Sequence, residues 1–290
     1  MTAPSPGTAA TAATAATAAA TAAAGAAAAG EPARPATLRV LTWNIWGLRG
    51  DPSALVRVIR AADADVVCLQ EAPRWPGSRW ELSALARRCG LLFVDGGRSA
   101  GGCALLASLR ADVPSVCALR LPVSRRSDSP RGTVVAEVAP VGCEPIALAV
   151  VHLPLDARER LHHVALVRER LAVLRRPRIL VAGDLNESPG GPVWAAWAQL
   201  CTDPFGPGGR GDAGPFTRGQ LPGAGQTARP TFPAGAPRSR IDAVLAANLD
   251  VAEYDAWRAD QTDVCRASDH RPVLAVFYVP RRRRDVTAAP

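Results

Sequence analysis

The chain has 290 residues, of which 48% are hydrophobic and 21% charged, a composition that fits a globular protein with a large core. No stretch is apolar enough to predict a transmembrane helix. The net charge is +8 and all 34 basic residues are arginine, which suits a phosphate-bearing partner, although codon bias would give the same arginine excess.

The two ends of the chain differ in composition from the part between them. Residues 1–36 form an Ala/Thr-rich tract with no positively charged start, which predicts a disordered tail and no signal peptide. Residues 281–290 open with four consecutive arginines and form a basic tail. The seven cysteines are odd in number, have no C-x-x-C pair and mostly lie in apolar runs, as expected in a reducing compartment. We therefore expect a cytoplasmic protein with one domain at 37–280.

Within this domain, short apolar segments alternate with segments of helical periodicity. The predicted strands are 38–43, 66–69, 91–94, 103–107, 113–121, 133–138, 146–151, 178–182, 241–246, 251–257 and 272–279. The predicted helices are 51–62, 80–89, 157–174 and 192–200. Residues 202–238 are rich in glycine and proline and predict a long surface loop. Strands and helices distributed in this way predict an α/β domain of two packed sheets with helices outside.

The longest predicted helix, 157–174, has four apolar side chains on one face. They are Leu161, Val164, Leu171 and Leu174. His162 and His163 lie in the same helix, away from any strand end, and we interpret both as surface residues without a chemical role.

Polar side chains follow the apolar strands in six short segments. The segments carry Asn44, Glu71, His152, Asp184 with Asn186, Asp242, and Asp269 with His270. Because polar groups at strand ends gather at one rim of a sheet, we expect these side chains to form a site there. Four converging carboxylates would repel one another without a cation, and a hard divalent metal prefers such oxygen ligands.

The same segments carry a family resemblance. Their sequences are TWN, LQE, VHL, GDLN, RID and SDH. In order and spacing they resemble the endonuclease/exonuclease/phosphatase superfamily, also called deoxyribonuclease-I-like, over residues 38–279. The resemblance implies a four-layer α/β/β/α sandwich of two packed mixed β-sheets with outer helices. It also implies a phosphoesterase that uses Mg²⁺ or Mn²⁺ and needs no obligate protein partner.

The resemblance gives each of these residues an expected role. Glu71, Asn44 and Asp269 match the positions that hold the metal. Asp184 matches the residue that orients or deprotonates the attacking water. Asn186, two residues further on, matches a contact to the phosphoryl oxygen, and an extended backbone would project both side chains the same way.

The two histidines match different family positions. His270 is expected to donate to a phosphate oxygen or to act as a general acid or base, with Asp242 fixing its ring. His152 matches the second catalytic histidine, although Val151 replaces the threonine that often precedes it. The family's upstream glutamate has no counterpart in residues 100–103, so His152 is expected to donate to the phosphate.

Several interpretations remain open from the sequence. Arg131 matches a phosphate-contacting arginine, but a solvated surface arginine is an equally good interpretation. The substrate is a nucleic acid or, alternatively, a phospholipid, inositol phosphate or other small phosphoester. Abasic-site specificity is disfavoured, because residues 231–242 lack the aromatic-rich pattern of those enzymes. A catalytically silent binding module with the same fold is the third interpretation.

Overall fold

The computed structural model describes residues 36–123, 129–204, 229–255 and 258–282. The predicted tail as far as residue 35, most of the predicted 202–238 loop and the basic end from residue 283 lie outside these ranges.

Eleven strands within the described residues form two mixed β-sheets. The first sheet contains β1 (Ala36–Asn44), β2 (Val66–Gln70), β3 (Leu92–Gly96), β4 (Ala104–Ala107), β10 (Asp250–Tyr254) and β11 (Val273–Val279). Their order is β10-β11-β1-β2-β4-β3. The second sheet contains β5 (Ala111–Leu121), β6 (Arg131–Pro140), β7 (Ile146–His152), β8 (Ile179–Asp184) and β9 (Asp242–Ala247), in this order. One parallel pair lies inside each sheet, β1 with β2 and β7 with β8, and the other pairs are antiparallel.

Five α-helices of the described chain cover the sheets. They are α1 (Pro52–Ala62), α2 (Ser78–Cys89), α3 (Ala157–Val173), α4 (Pro192–Ala198) and α5 (Gln261–Ala267). Helix α1 begins where predicted, because Asp51 caps the amide of Ser53 and proline fits the first helical turn. Helix α5 was not predicted. It has only seven residues, too few for a periodic pattern, and Asp260 caps it at Thr262. Among the described residues, no helix combines the length and apolar character needed to cross a bilayer.

Successive side chains of a strand point to opposite faces of its sheet, and the buried side chains therefore form three separate layers. On β1, Leu38 and Val40 point into the cluster between the two sheets, whereas Leu41 and Trp43 point into the cluster under α1, α2 and α5. A third cluster lies between the second sheet and α3 and α4. The order of layers is therefore helices, sheet, sheet, helices, which confirms the predicted two-sheet α/β architecture.

Of the four apolar side chains predicted on the inner face of α3, Val164 and Leu171 are buried, whereas Leu161 is 39% exposed. The buried face also includes Glu159, His163 and Val167, at a four-residue spacing. The interpretation of His163 as a surface residue was wrong. Its side chain is fully buried, and its Nε2 lies 2.6 Å from the carbonyl of Pro122, just beyond the end of β5.

The strand directions bring the polar segments to one rim of the sandwich. Strands β1, β2, β7 and β8 all end there, as predicted for parallel neighbours. The prediction that every segment follows a strand was wrong for two of them. Asp242 is the first residue of β9, and Asp269 and His270 precede β11. Both strands run antiparallel to a neighbour that ends at the rim, so their beginnings lie at the same rim.

Candidate active site

Asp184 is the centre of the group of polar side chains at this rim. It is the last residue of β8 and is 1% exposed. Its Oδ2 accepts a hydrogen bond from Asn44 Nδ2 at 3.1 Å and lies 3.5 Å from His152 Nε2 and 3.9 Å from His270 Nε2. Its Oδ1 accepts from the backbone amide of Asn186 at 2.9 Å. One carboxylate therefore connects residues from both sheets.

His270 is held in place by groups on every side. Its Nδ1 lies 3.0 Å from Oδ2 of the fully buried Asp242, and its backbone carbonyl accepts from Trp43 Nε1 at 2.8 Å. The ring of Phe232 packs against the imidazole with 4.8 Å between centroids. The other carboxylate oxygen of Asp242, Oδ1, is buried and has no hydrogen-bond partner within the described residues. The Nε2 edge of His270 is thereby turned toward Asp184.

The protonation states of the three central groups differ. Burial raises the pKa of Asp184 to about 7, and the charge of Asp242 adds to this effect. Burial also lowers the pKa of His152 well below its ordinary value, helped by the charge of Arg131. For His270, burial acts in the same direction, but Asp242 outweighs it and raises the pKa to about 9. Near neutral pH the site therefore combines a neutral imidazole with a cationic one.

Glu71, Asn44 and Asp269 form the second half of the site. Asn44 Nδ2 donates to Glu71 Oε1 at 3.4 Å as well as to Asp184, while its Oδ1 accepts from the amide of Trp46 at 3.1 Å. Glu71 and Asp269 are half-buried, and burial together with the charge of Glu71 raises the pKa of Asp269. Two partly desolvated carboxylates are donors that fit a hard divalent cation, and Asn44 turns its Nδ2 toward Glu71 while its Oδ1 accepts from Trp46.

A second set of ligand atoms lies close by. Asp184, Asp242 and His270 each place one ligand atom within 4.8 Å of the others. However, Nδ1 of His270 bonds to Asp242 Oδ2, so these two groups satisfy each other. We therefore favour Glu71, Asn44 and Asp269 for a metal and regard this triplet as an imidazole with its orienting carboxylates.

Arg131 and His152 lie beside the carboxylates on the second sheet. The Nε of Arg131 is buried and has no hydrogen-bond partner among the described residues, although Asp184 and Glu71 attract its charge. A buried donor without a partner favours the interpretation of Arg131 as a residue that binds an anion over its interpretation as a solvated surface arginine. Cys103 lies next to the backbone of His152, and the acidic group that faces this imidazole is Asp184, with 3.5 Å between Asp184 Oδ2 and His152 Nε2.

Asn186 is placed differently from the expectation. Its backbone is in the left-handed region at φ 50°, and its Nδ2 donates to the carbonyl of Leu153 at 2.8 Å. The extended geometry assumed for the Asp184–Asn186 spacing was therefore wrong, because the strand ends at Asp184. The side-chain nitrogen is occupied and the backbone N–H donates to Asp184, which leaves the side-chain amide oxygen for other contacts.

Three supporting residues were missed by the sequence analysis. Ser268 Oγ donates to the carbonyl of Asn44 at 2.6 Å and accepts from the amide of His270 at 3.1 Å, tying the two sheet-one segments together. Thr231 Oγ1 accepts from the amide of Asp242 at 3.2 Å. Ser268 belongs to the SDH segment, so its sequence position could have indicated a role in the site. Thr231 and Phe232 lie in the predicted long loop, where no sequence pattern indicated such a role.

Comparison with known proteins identifies the family. A sequence profile described as the Endonuclease/Exonuclease/phosphatase family matches residues 41–270, which is most of the chain. The chain belongs to the endonuclease/exonuclease/phosphatase family. Members of this family are hydrolases that act on phosphoester bonds, and they typically use a divalent metal. A search of curated proteins gives no significant match.

Solved structures share the fold of this family at low sequence identity. An endonuclease/exonuclease/phosphatase family protein from Bacteroides thetaiotaomicron has a TM-score of 0.63 and 16% identity, covering 84% of this chain and 98% of its own. The mannosyl-6-phosphatase Bt3783 of the same organism has a TM-score of 0.60 and 16% identity, covering 82% and 98%. D. rerio TDP2, complexed with a single-strand DNA product, has a TM-score of 0.59 and 18% identity, covering 83% and 99%.

Proposed function

We propose that this protein hydrolyses phosphodiester bonds by direct attack of water, with a divalent cation, Mg²⁺ or Mn²⁺, as cofactor. The observation that carries the proposal is the environment of Asp184. A single buried carboxylate faces two imidazoles at 3.5 and 3.9 Å and is bonded to the amide that also reaches Glu71. Burying clustered carboxylates costs desolvation free energy unless a bound ligand compensates their charge, so this arrangement argues against a catalytically silent binding module.

Asp184 is the proposed base. Its pKa of about 7 is close to the working pH, which is where a general base is most effective. Its Oδ2 would orient the attacking water and take its proton, while the bonds from Asn44 and Asn186 hold the carboxylate in one orientation. No covalent intermediate on the protein is required.

Three cationic or donor groups would stabilise the charge that develops on phosphorus-bound oxygens. His270 stays protonated near neutral pH, and its Nε2 proton is free of Asp242, so it would donate to a phosphoryl oxygen. Arg131 would donate through its unpartnered Nε. His152 stays neutral and would contribute one hydrogen bond.

Glu71, Asn44 and Asp269 would hold the cation. When bound, it would draw electron density from the phosphoryl group and stabilise the leaving oxygen. Glu71 and Asp269 would offset its charge, and the Asn44 side chain would offer its amide oxygen. Because Glu71, Asn44 and Asp269 would bind the cation, Asp184 would remain available to accept the proton of the attacking water.

The test is a metal-titrated assay with bis(4-nitrophenyl) phosphate, 4-nitrophenyl phosphate, plasmid DNA, RNA and a lyso-phospholipid. Asp184→Asn keeps the size of the side chain and should reduce kcat by about 10²-fold or more, the range typical of a general base. Asp250→Asn, an exposed carboxylate on β10, is the matched control and should be unaffected. Unchanged turnover by Asp184→Asn would refute its role, and absence of metal-stimulated turnover on the whole panel would support the silent module.

A further inference from the structure

Three arginine side chains from separate segments of the chain converge on one surface cavity. The cavity has a volume of about 460 Å³, which is large enough for a small molecule. It is lined by Arg79, Gly96, Arg98, Ser99 and Arg120. Arg79 lies in α2, Arg98 in the turn after β3, and Arg120 near the end of β5. The lining contains none of the residues assigned to the candidate active site, so the cavity is considered by itself.

Two of these arginines are held by contacts that use only part of their donors. Arg79 Nη1 donates to Asp95 Oδ1 at 2.7 Å, and its guanidinium carbon lies 5.1 Å from the centroid of the Phe93 ring. Arg120 Nε donates to the carbonyl of Arg98 at 3.1 Å, and its two terminal nitrogens have no hydrogen-bond partner within the described residues. A guanidinium that is already held in place loses less conformational entropy when it binds a ligand.

The turn that carries Arg98 has a fixed position on the protein. The amide of Gly97 donates to the carbonyl of Cys103 at 2.7 Å, which closes the turn. The turn also packs on β6 so closely that a Cβ on Gly132 would lie 2.3 Å from the carbonyl carbon of Ala100. The carbonyl that binds Arg120 is therefore part of a well-supported backbone.

The charges around the cavity do not balance. Asp95 pairs with Arg79, whereas Arg98 and Arg120 form no ion pair with a carboxylate within the described part of the chain. All three arginines are exposed, so a ligand from solvent can reach them. Like charges that are brought together repel one another, and an anion bound between them removes this repulsion.

The lining also indicates the chemistry of the ligand. It contains no apolar side chain, which disfavours an apolar ligand. The planar fork of a guanidinium donates to two oxygens of one phosphate group. A phosphate monoester carries a charge of about −1.5 to −2 near pH 7, which matches the two unpaired arginines, whereas a carboxylate carries one charge.

We propose that this cavity is an anion site that binds a dianionic phosphate group between Arg98 and Arg120, with Arg79 as an additional donor. The phosphate is either free or part of a small phosphorylated molecule. The proposal goes beyond the proposed hydrolysis of phosphodiesters and does not depend on it, because the lining residues take no part in that reaction.

The test measures phosphate binding directly. The full-length chain is dialysed to equilibrium against radiolabelled inorganic phosphate in EDTA. Arg98→Gln/Arg120→Gln should weaken binding by about tenfold, because an exposed pair of opposite charges contributes at most about fivefold in affinity and two pairs are lost. Arg60→Gln/Arg87→Gln removes two exposed arginines that do not line the cavity, and it should bind as the wild type does.

A third variant separates the cavity from the candidate active site. Arg131→Gln removes the arginine beside Asp184 and should retain the binding that Arg98→Gln/Arg120→Gln loses. Loss of binding in Arg131→Gln with full binding in Arg98→Gln/Arg120→Gln would place the phosphate at the active site and overturn the proposal. Thermal unfolding verifies that each variant is folded.

Competing ligands test the charge and the source of the phosphate. Sulfate has the same charge and should displace the labelled phosphate, whereas acetate at equal ionic strength should be at least about tenfold weaker. Competition by glycerol 3-phosphate would support a small phosphorylated molecule as the ligand, and its failure would support free phosphate. Equally good competition by acetate, or equal binding by the two arginine pairs, would overturn the proposal. Absence of phosphoesterase activity would refute the proposed function and leave this binding result unchanged.

Discussion

Gly183 lies in β8 directly before Asp184 and pairs with Val151 on β7, the strand that carries His152, and replacing Gly183 with alanine should separate the two strands. A Cβ at this position would lie 1.9 Å from the carbonyl oxygen of Val151, its partner residue on β7. Real Cβ atoms essentially never approach another heavy atom within 3.0 Å, so the gap must widen from 1.9 Å to at least 3.0 Å, a displacement of about 1.1 Å. The clash involves backbone atoms, which cannot turn aside as a side chain can.

The displacement acts directly on the candidate site. His152 and Asp184 are the next residue pair in the same register, and their side chains lie 3.5 Å apart. A shift of about 1 Å in catalytic geometry costs on the order of 10²-fold in rate. Overpacking of a buried position costs about 1–3 kcal/mol, which for a domain of this size lowers Tm by roughly 2–12 °C.

The assay combines thermal unfolding with turnover of bis(4-nitrophenyl) phosphate. Gly235→Ala is the matched control, because nothing lies within 4 Å of a Cβ at that position and its backbone is not in the left-handed region. We expect Gly183→Ala to lose both stability and kcat, and Gly235→Ala to lose neither. If Gly183→Ala has wild-type Tm and wild-type kcat, the strand spacing does not set the geometry of this site.

Three further changes test separate parts of the structure. Glu71→Gln should abolish the rise in Tm that Mg²⁺ or Mn²⁺ produces in the wild type, because it removes one charged ligand; thermal unfolding with and without EDTA measures this. Asp242→Asn should lower kcat by about 10²-fold and change KM little, because it loosens the orientation of His270 without removing a substrate contact; steady-state kinetics separates the two constants. His163→Gln should make the protein less sensitive to acid, as followed by urea unfolding at pH 7 and pH 5.

The sign of the His163 effect follows from its burial. Burial lowers the pKa of His163 below the ordinary value of 6.5, while its ring bonds to the carbonyl of Pro122. The unfolded chain therefore binds more protons than the folded one just below pH 6.5, and stability present above that pH is lost as the pH falls. Glutamine keeps a donor for Pro122 but does not titrate. His162→Gln, at the exposed neighbouring position, should retain the acid sensitivity of the wild type, and equal loss in both variants would contradict the prediction.

The polar ends of the strands could be predicted because local sequence determines them. The apolar segments at Val66–Gln70 and Ile146–His152 are buried throughout, and each leads into a polar side chain at the rim. The register then brings distant segments together, as when β8 aligns Asp184 with both His152 and Asp242. The prediction of two packed sheets with outer helices is also confirmed, because it too was based on the local pattern of apolar segments and helical periodicity.

Other features depend on packing between distant segments, which the local pattern does not contain. The bond from Asn44 to Asp184 crosses from one sheet to the other, so its length depends on how the central core spaces the sheets. The buried face of α3 is fixed by Pro122 and the second sheet, and this is why His163 is inside and Leu161 outside. The seven-residue α5 is stabilised by its contact with α1, including the ion pair of Arg57 with Asp263 at 2.6 Å.

The interior position of β11 has a consequence for how the protein is made. This strand is the last among the described residues, yet it lies between β10 and β1 inside the first sheet. A ribosome would release His152, Asp184 and Asp242 long before His270, the imidazole that completes the cluster. A nascent or truncated chain that stops before residue 270 therefore carries the acidic groups without their cationic partner and leaves one side of β1 unpaired. The proposed phosphoesterase activity should consequently be absent from a variant that is truncated before residue 270.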